Sequence, residues 1–177
     1  LKDQLVMSRK DYHTQYEPIW YGWDNRAPRL VKVEDRKQSD VWLIDRPKRS
    51  EEHPTMKPVE LVERSLLNSS QPGALVLDVH AHLAVVEREH RRRALEARGY
   101  KLLEALNGLT GVNKAEAEEI DLILLDINLP DIDGYEVARR IRSSKKLTLA
   151  YVPIIAVTAN ALKGDAGGCP ERYAFDA

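Results

Sequence analysis

Three side chains with chemistry to offer stand at the ends of apolar runs. Asp78 follows Leu75-Val76-Leu77, Asp126 follows Leu122-Ile123-Leu124-Leu125, and Thr158 follows Ile154-Ile155-Ala156-Val157. A carboxylate so placed can attack a phosphoryl group to give an acyl phosphate, or serve as a hard oxygen ligand for a divalent cation. An arbitrary strand-end aspartate more often only caps a turn, so the chemistry depends on whether the three groups converge. Around Asp126 the neighbours are Asn128, Pro130, Asp131, Asp133 and Gly134, a polar loop closed by a glycine. A second set is His53-Pro54-Thr55-Met56-Lys57-Pro58, and a further acid, Glu87, follows Leu83-Ala84-Val85-Val86.

The elements that must position these groups read as alternating strand and helix after the Pro72-Gly73 turn. Short strands are expected at Ala74–Leu77, Lys101–Ala105, Leu122–Leu125 and Pro153–Thr158. Val137, Ala138 and Ile141 share one face of a helix over Tyr135–Arg142, and Val59, Val62 and Leu66 predict another after Pro58, stopping near Asn68. Strands alternating with helices imply a mostly parallel α/β sheet, and such sheets gather ligands at their strand carboxyl ends. His80 to Arg98 supports two readings: one long helix after Asp78, or a strand at Leu83–Glu87 followed by a helix over Arg88–Arg98. Residues 1–50, with Trp20, Trp23 and Trp42, read as irregular loops and short strands.

The run Asp121-Leu-Ile-Leu-Leu-Asp126-Ile-Asn128-Leu-Pro130-Asp-Ile-Asp-Gly134-Tyr-Glu-Val-Ala resembles the third strand, active loop and third helix of a response-regulator receiver domain. Glu96-Ala-Arg-Gly99-Tyr100 upstream and Val152-Pro-Ile-Ile-Ala-Val-Thr158-Ala-Asn-Ala downstream extend the resemblance over roughly residues 74–169. It implies a flavodoxin-like fold, Asp126 as phosphoacceptor, Asn128 and an acid at Asp78 or Glu87 as further metal ligands beside Asp126, and Thr158 as the hydroxyl that meets the phosphoryl group. It also implies Mg²⁺ as cofactor, a histidine kinase or phosphotransfer protein as partner, and a cytoplasmic signalling role. Receivers carry two adjacent acids after the first strand; here the second place holds Val79 or Arg88. The lysine-proline pair that follows the family's fifth strand is absent, and Asp176 lies near the lysine's place. Weak Mg²⁺ binding, weak phosphorylation and an eroded fifth strand are therefore expected, with the sheet edge open or covered by residues from the first half.

Residues 1–79 resemble a different family, DNA adenine-N6 or cytosine-N4 methyltransferases with circularly ordered motifs. The pieces are Tyr12-His-Thr-Gln-Tyr16-Glu-Pro-Ile19, Tyr21-Gly-Trp23, Asp35-Arg-Lys-Gln-Ser39-Asp-Val-Trp42 and His53-Pro54-Thr55-Met56-Lys57-Pro58. By that resemblance His53, Pro54, Thr55, Lys57 and Asp78 are the remains of an S-adenosylmethionine site. The family's glycine-rich loop is replaced by Asp78-Val-His-Ala-His82, and its Asp/Asn-Pro-Pro-aromatic motif is missing. Neither S-adenosylmethionine binding, methyl transfer nor DNA binding is expected, and no enzyme activity is assigned. The two resemblances meet at Ala74–Asp78, which suggests a natural or designed chimera with a methyltransferase-like segment over 1–73, a receiver-like domain over 74–177 and a shared strand.

The bulk numbers exclude other classes. With 27 Lys and Arg against 28 Asp and Glu in 177 residues, net charge −1, no polyanionic or polycationic partner is favoured. A hydrophobic fraction of 43% suffices for a packed core, and the single Cys169 excludes an internal disulfide or a multi-cysteine zinc site. No apolar run approaches the ~20 residues of a membrane span, and a cytoplasmic, reducing setting is expected. Asp78-Val-His80-Ala-His82 resembles the metal-binding start of amidohydrolases, but that barrel needs about 250 residues. Arg88, Arg91, Arg92, Arg93 and Arg98, interleaved with Glu87, Glu89 and Glu96, read as a solvated helix face.

Overall fold

The computed structural model describes residues 19–22, 42–44, 59–81 and 85–157 of the chain. Within them the elements run β1 (Ile19–Gly22), α1 (Val59–Leu67), β2 (Leu75–Val79), α2 (Val85–Ala97), β3 (Lys101–Ala105), α3 (Gly108–Ala117), β4 (Leu122–Leu125), α4 (Gly134–Arg142), the short α5 (Leu147–Ala150) and β5 (Ile154–Val157). Leu, Ile and Val crowd the inner strands because both sheet faces are covered, as parallel sheets require. Leu122, Ile123, Leu124 and Leu125 are each essentially removed from solvent.

The sheet order is β1-β5-β4-β2-β3. β2 pairs in parallel with β3 and β4, and β4 with β5. These four strands follow the flavodoxin-like order, with β2 in the place of the fold's first strand. Residues alternate between the two faces. Leu77, Val79, Ile123, Leu125 and Ile154 pack with Val137, Ala138 and Ile141 of α4. On the other face Val76, Leu122, Leu124 and Ile155 meet Val62 and Leu66 of α1 and Leu95 of α2. The expected α/β class and flavodoxin-like sheet are what the chain adopts.

The edge beyond β5 is covered from the first half. β1 lies antiparallel to β5, from Ile19 opposite Val157 to Gly22 opposite Ile154. A strand there satisfies peptide groups that an eroded fifth strand would leave unpaired.

Both readings of His80–Arg98 need correction. Val85 to Glu87 open α2 rather than forming a strand, and α2 begins at Val85 instead of running on from Asp78. β2 already holds the central position, so Glu87 stands in the first turn of a helix, not at a strand end. Helix α3 was not anticipated, because its two glycines argue against a helix by propensity. Packing explains them: a Cβ at Gly111 would lie 2.9 Å from the Val79 side chain, and one at Gly108 would lie 2.5 Å from Ile132.

Candidate functional site

Winding from β2 goes outward to β3, then crosses back to β4, so the switch point lies between the carboxyl ends of β2 and β4. Open α/β sheets place ligands there. Asp78 is opposite Leu124 in the register and Val79 opposite Leu125, and the Asp126 N–H donates to the Val79 carbonyl over 2.9 Å. The topology thus brings the ends carrying Asp78 and Asp126 side by side.

Asp126 is half-buried, and the loop after it is tightly organised. Its Oδ1 accepts from the Asn128 N–H at 3.1 Å, and the Gly134 N–H donates to the Ile127 carbonyl at 2.9 Å. A side chain at Gly134 would come within 2.6 Å of the Asp126 carbonyl oxygen, so only glycine lets α4 start this close. Asp133 caps α4 by accepting from the Glu136 N–H at 2.7 Å. Asp131 reaches the other way: its two oxygens accept from the Gly108 and Leu109 N–H groups at 2.8 Å each, fastening the loop to the start of α3. Desolvation would raise the Asp131 pKa, but the Leu109 and Gly108 donors overcome it and hold the carboxyl below the ordinary aspartate value.

Asp78 is in a different situation. It faces α2 and is almost wholly buried, and one guanidinium nitrogen of Arg91 reaches both its oxygens, at 2.9 and 3.2 Å. Beside it in the register is Glu104, which accepts from Arg92. His80, also buried, has its Nε2 3.8 Å from the Glu104 carboxylate, and neither ring nitrogen makes a hydrogen bond among the described residues. Burial is the main reason its pKa lies below the ordinary histidine value. Val79, where the family's second acid would stand, points to the opposite face into the space left by Gly111.

Of the residues singled out from sequence, the strand ends carrying Asp126 and Asp78 are brought together, and Asn128 is exposed in the loop after Asp126. Glu87 is on α2. Thr158, His53, Pro54, Thr55 and Lys57 lie outside the described residues. Arg91 was missed as a site residue. The expected solvated face is corrected for it, since it is 7% exposed. The available signal was its four-residue spacing from Leu95, which puts both on the buried side of α2.

The residues present do not make a ready seat for Mg²⁺. Asp78 is committed to Arg91, Val79 offers no oxygen from its side chain, and no cluster of three or more His, Cys, Asp or Glu suited to a metal occurs among the described residues. No helix there is long and apolar enough to cross a membrane.

The family model for the response regulator receiver domain matches residues 84–177, and that for DNA methylase matches residues 2–82. Over 87 residues the chain is 41% identical to the polar-differentiation response regulator DivK of Brucella anthropi, covering 46% of this chain and 68% of that protein. It is 40% identical to the DivK of Brucella ovis over the same shares. Among solved structures it is similar to the receiver domain of a sensor histidine kinase from Pseudomonas aeruginosa PAO1, which has a magnesium ion coordinated in its active-site cleft. That likeness has 38% identity, 52% coverage of this chain and 73% of the other, and a TM-score of 0.47. The receiver match begins at residue 84, so β2, the strand beside β4, falls inside the methylase match.

Proposed function

Since this chain belongs to the response regulator receiver family, we propose that it is a phosphorelay signalling module whose degenerate phosphoacceptor is Asp126. The observation that carries the reading is the half-buried Asp126 at the carboxyl end of β4, held at the switch point by a loop that tolerates only glycine at 134. In the proposed reaction a carboxylate oxygen of Asp126 attacks the phosphorus of a phosphohistidine. The new O–P bond replaces the P–N bond, and the imidazole of the donor protein leaves. The donor is a histidine kinase or a phosphotransfer protein. Thr158, next in sequence after β5, is proposed to meet the phosphoryl oxygens, and the Asn128 N–H to orient the Asp126 carboxylate.

Transfer should be slow. The Asp78 charge is already neutralised by Arg91. The first half is proposed to serve as scaffold: its match to DNA methylase supplies β1, α1 and β2, while the Asp78 carboxylate of its S-adenosylmethionine-like segment is held by Arg91. No methyl transfer is proposed. The test is intact-mass spectrometry after incubation with acetyl phosphate and Mg²⁺, on the wild-type chain and Asp126→Asn. We expect a small +80 Da fraction (roughly the mass added when an Asp carboxylate acts as nucleophile toward a phosphoryl group) in the wild type and none in the variant. Labelling that survives Asp126→Asn would refute the assignment.

A further inference from the structure

We infer that Arg91 is a tethered cation that takes, at Asp78, the seat a divalent metal would otherwise occupy, so that this end of β2 excludes metal rather than binding it. The inference deepens the phosphorelay reading, resting on Asp78 as that module's strand-end acid, and gives a reason for its weak chemistry.

Both Asp78 oxygens are engaged by a single guanidinium nitrogen, at 2.9 and 3.2 Å, and only 2% of Asp78 and 7% of Arg91 remain exposed. Mg²⁺ binds oxygen ligands at about 2.0–2.1 Å and keeps several of its waters. A carboxylate shut away from solvent, with a positive group already on both oxygens, offers neither the space nor the charge for that. The guanidinium is held in place by α2, whose Leu95 is in the core one turn further on.

The neighbouring acid on the same face is treated alike, since Glu104 accepts from Arg92, also of α2. Val79 completes the exclusion by pointing to the other face against Gly111. The arrangement therefore has two acids on the α2 side of the sheet, each with its own arginine.

The test uses the full chain and Mn²⁺ as probe, with free Mn²⁺ followed by electron paramagnetic resonance and thermal melts recorded with and without Mg²⁺. Wild type and Asp78→Asn should give the same Mn²⁺ titration, because Asp78 contributes nothing to metal binding while Arg91 is present. Arg91→Gln should bind Mn²⁺ at least tenfold more tightly than wild type and should melt higher when Mg²⁺ is added. Both gains should vanish in the double variant Asp78→Asn/Arg91→Gln. Wild-type binding that weakens in Asp78→Asn would overturn the inference, as would Arg91→Gln binding no tighter than wild type. If Arg91→Gln fails to fold with or without Mg²⁺, the comparison of wild type with Asp78→Asn decides alone. No arm measures phosphoryl transfer, so failure here leaves the Asp126 assignment to its own test.

Discussion

Asp78 and Asp126 end adjacent strands, yet one is sealed against a guanidinium and the other stays half-open in a loop. The difference comes from what each meets. The Asp126 side chain is met by the Asn128 N–H of its own loop, so its motif can be read along the chain. The partner of Asp78 is thirteen residues away and depends on where α2 begins, which periodicity alone left between two alternatives. His80, set aside in the sequence as part of an amidohydrolase-like run too short for its barrel, carries a measurable consequence of its burial. Burial is the largest cause of its lowered pKa, with Asp78 and Glu104 opposing that trend and Arg91 and Arg88 adding to it. The unfolded chain therefore takes up a proton near the ordinary value of about 6.5 that the folded chain resists. Unfolded protein then binds more protons, so stability is complete above that pH and declines as pH falls through it. His80→Gln should remove this part of the decline. Urea midpoints at about pH 7.5 and about pH 5 should fall less in the variant than in the wild type; equal falls would show that His80 takes up its proton as readily folded as unfolded.

At the scale of elements, the parallel strands were legible because each is a short run of Leu, Ile or Val bounded by polar or turn residues. β1 was not legible as a sheet strand, because Ile19-Trp-Tyr-Gly22 is short and its pairing partner lies near the other end of the chain. Its role as edge cover can be tested by placing proline at both Trp20 and Tyr21: consecutive N–H groups point to opposite sides of a strand, so one of the two substitutions removes a donor to β5 and both rings disturb the pairing. Amides of β5 that face β1 should lose hydrogen-exchange protection, while those that face β4 keep theirs. Unchanged protection on both sides would mean that β1 does not hold the edge. α3 escaped notice for a different reason: Gly108 and Gly111 disfavour a helix locally, and only contact with Ile132 and Val79 makes their small size an advantage.

For the whole molecule, the boundary between the two family matches does not coincide with the packing. Val62 and Leu66, inside the methylase match, are buried against Leu122 and Leu124, inside the receiver match. Arg98 of the receiver match also pairs with Glu63 of α1 at 2.8 Å, although this pair is partly exposed and contributes little. A fragment comprising residues 84–177 lacks β2, and with it the hydrogen-bonding partner of both β3 and β4. That fragment should give a circular-dichroism spectrum without a cooperative melt, whereas residues 59–177 should melt cooperatively. A cooperative melt in the shorter fragment would mean that another segment takes the place of β2. The antiparallel pairing of β1 with β5 has a further consequence for synthesis. Gly22 and Ile154 are about 130 residues apart, and a ribosome adding about 5–20 residues per second needs on the order of 10 s or more to make the second after the first. Throughout that interval the nascent Ile-Trp-Tyr segment has no β5 to pair with, so during translation the demand for chaperone shielding falls on that segment rather than on β5.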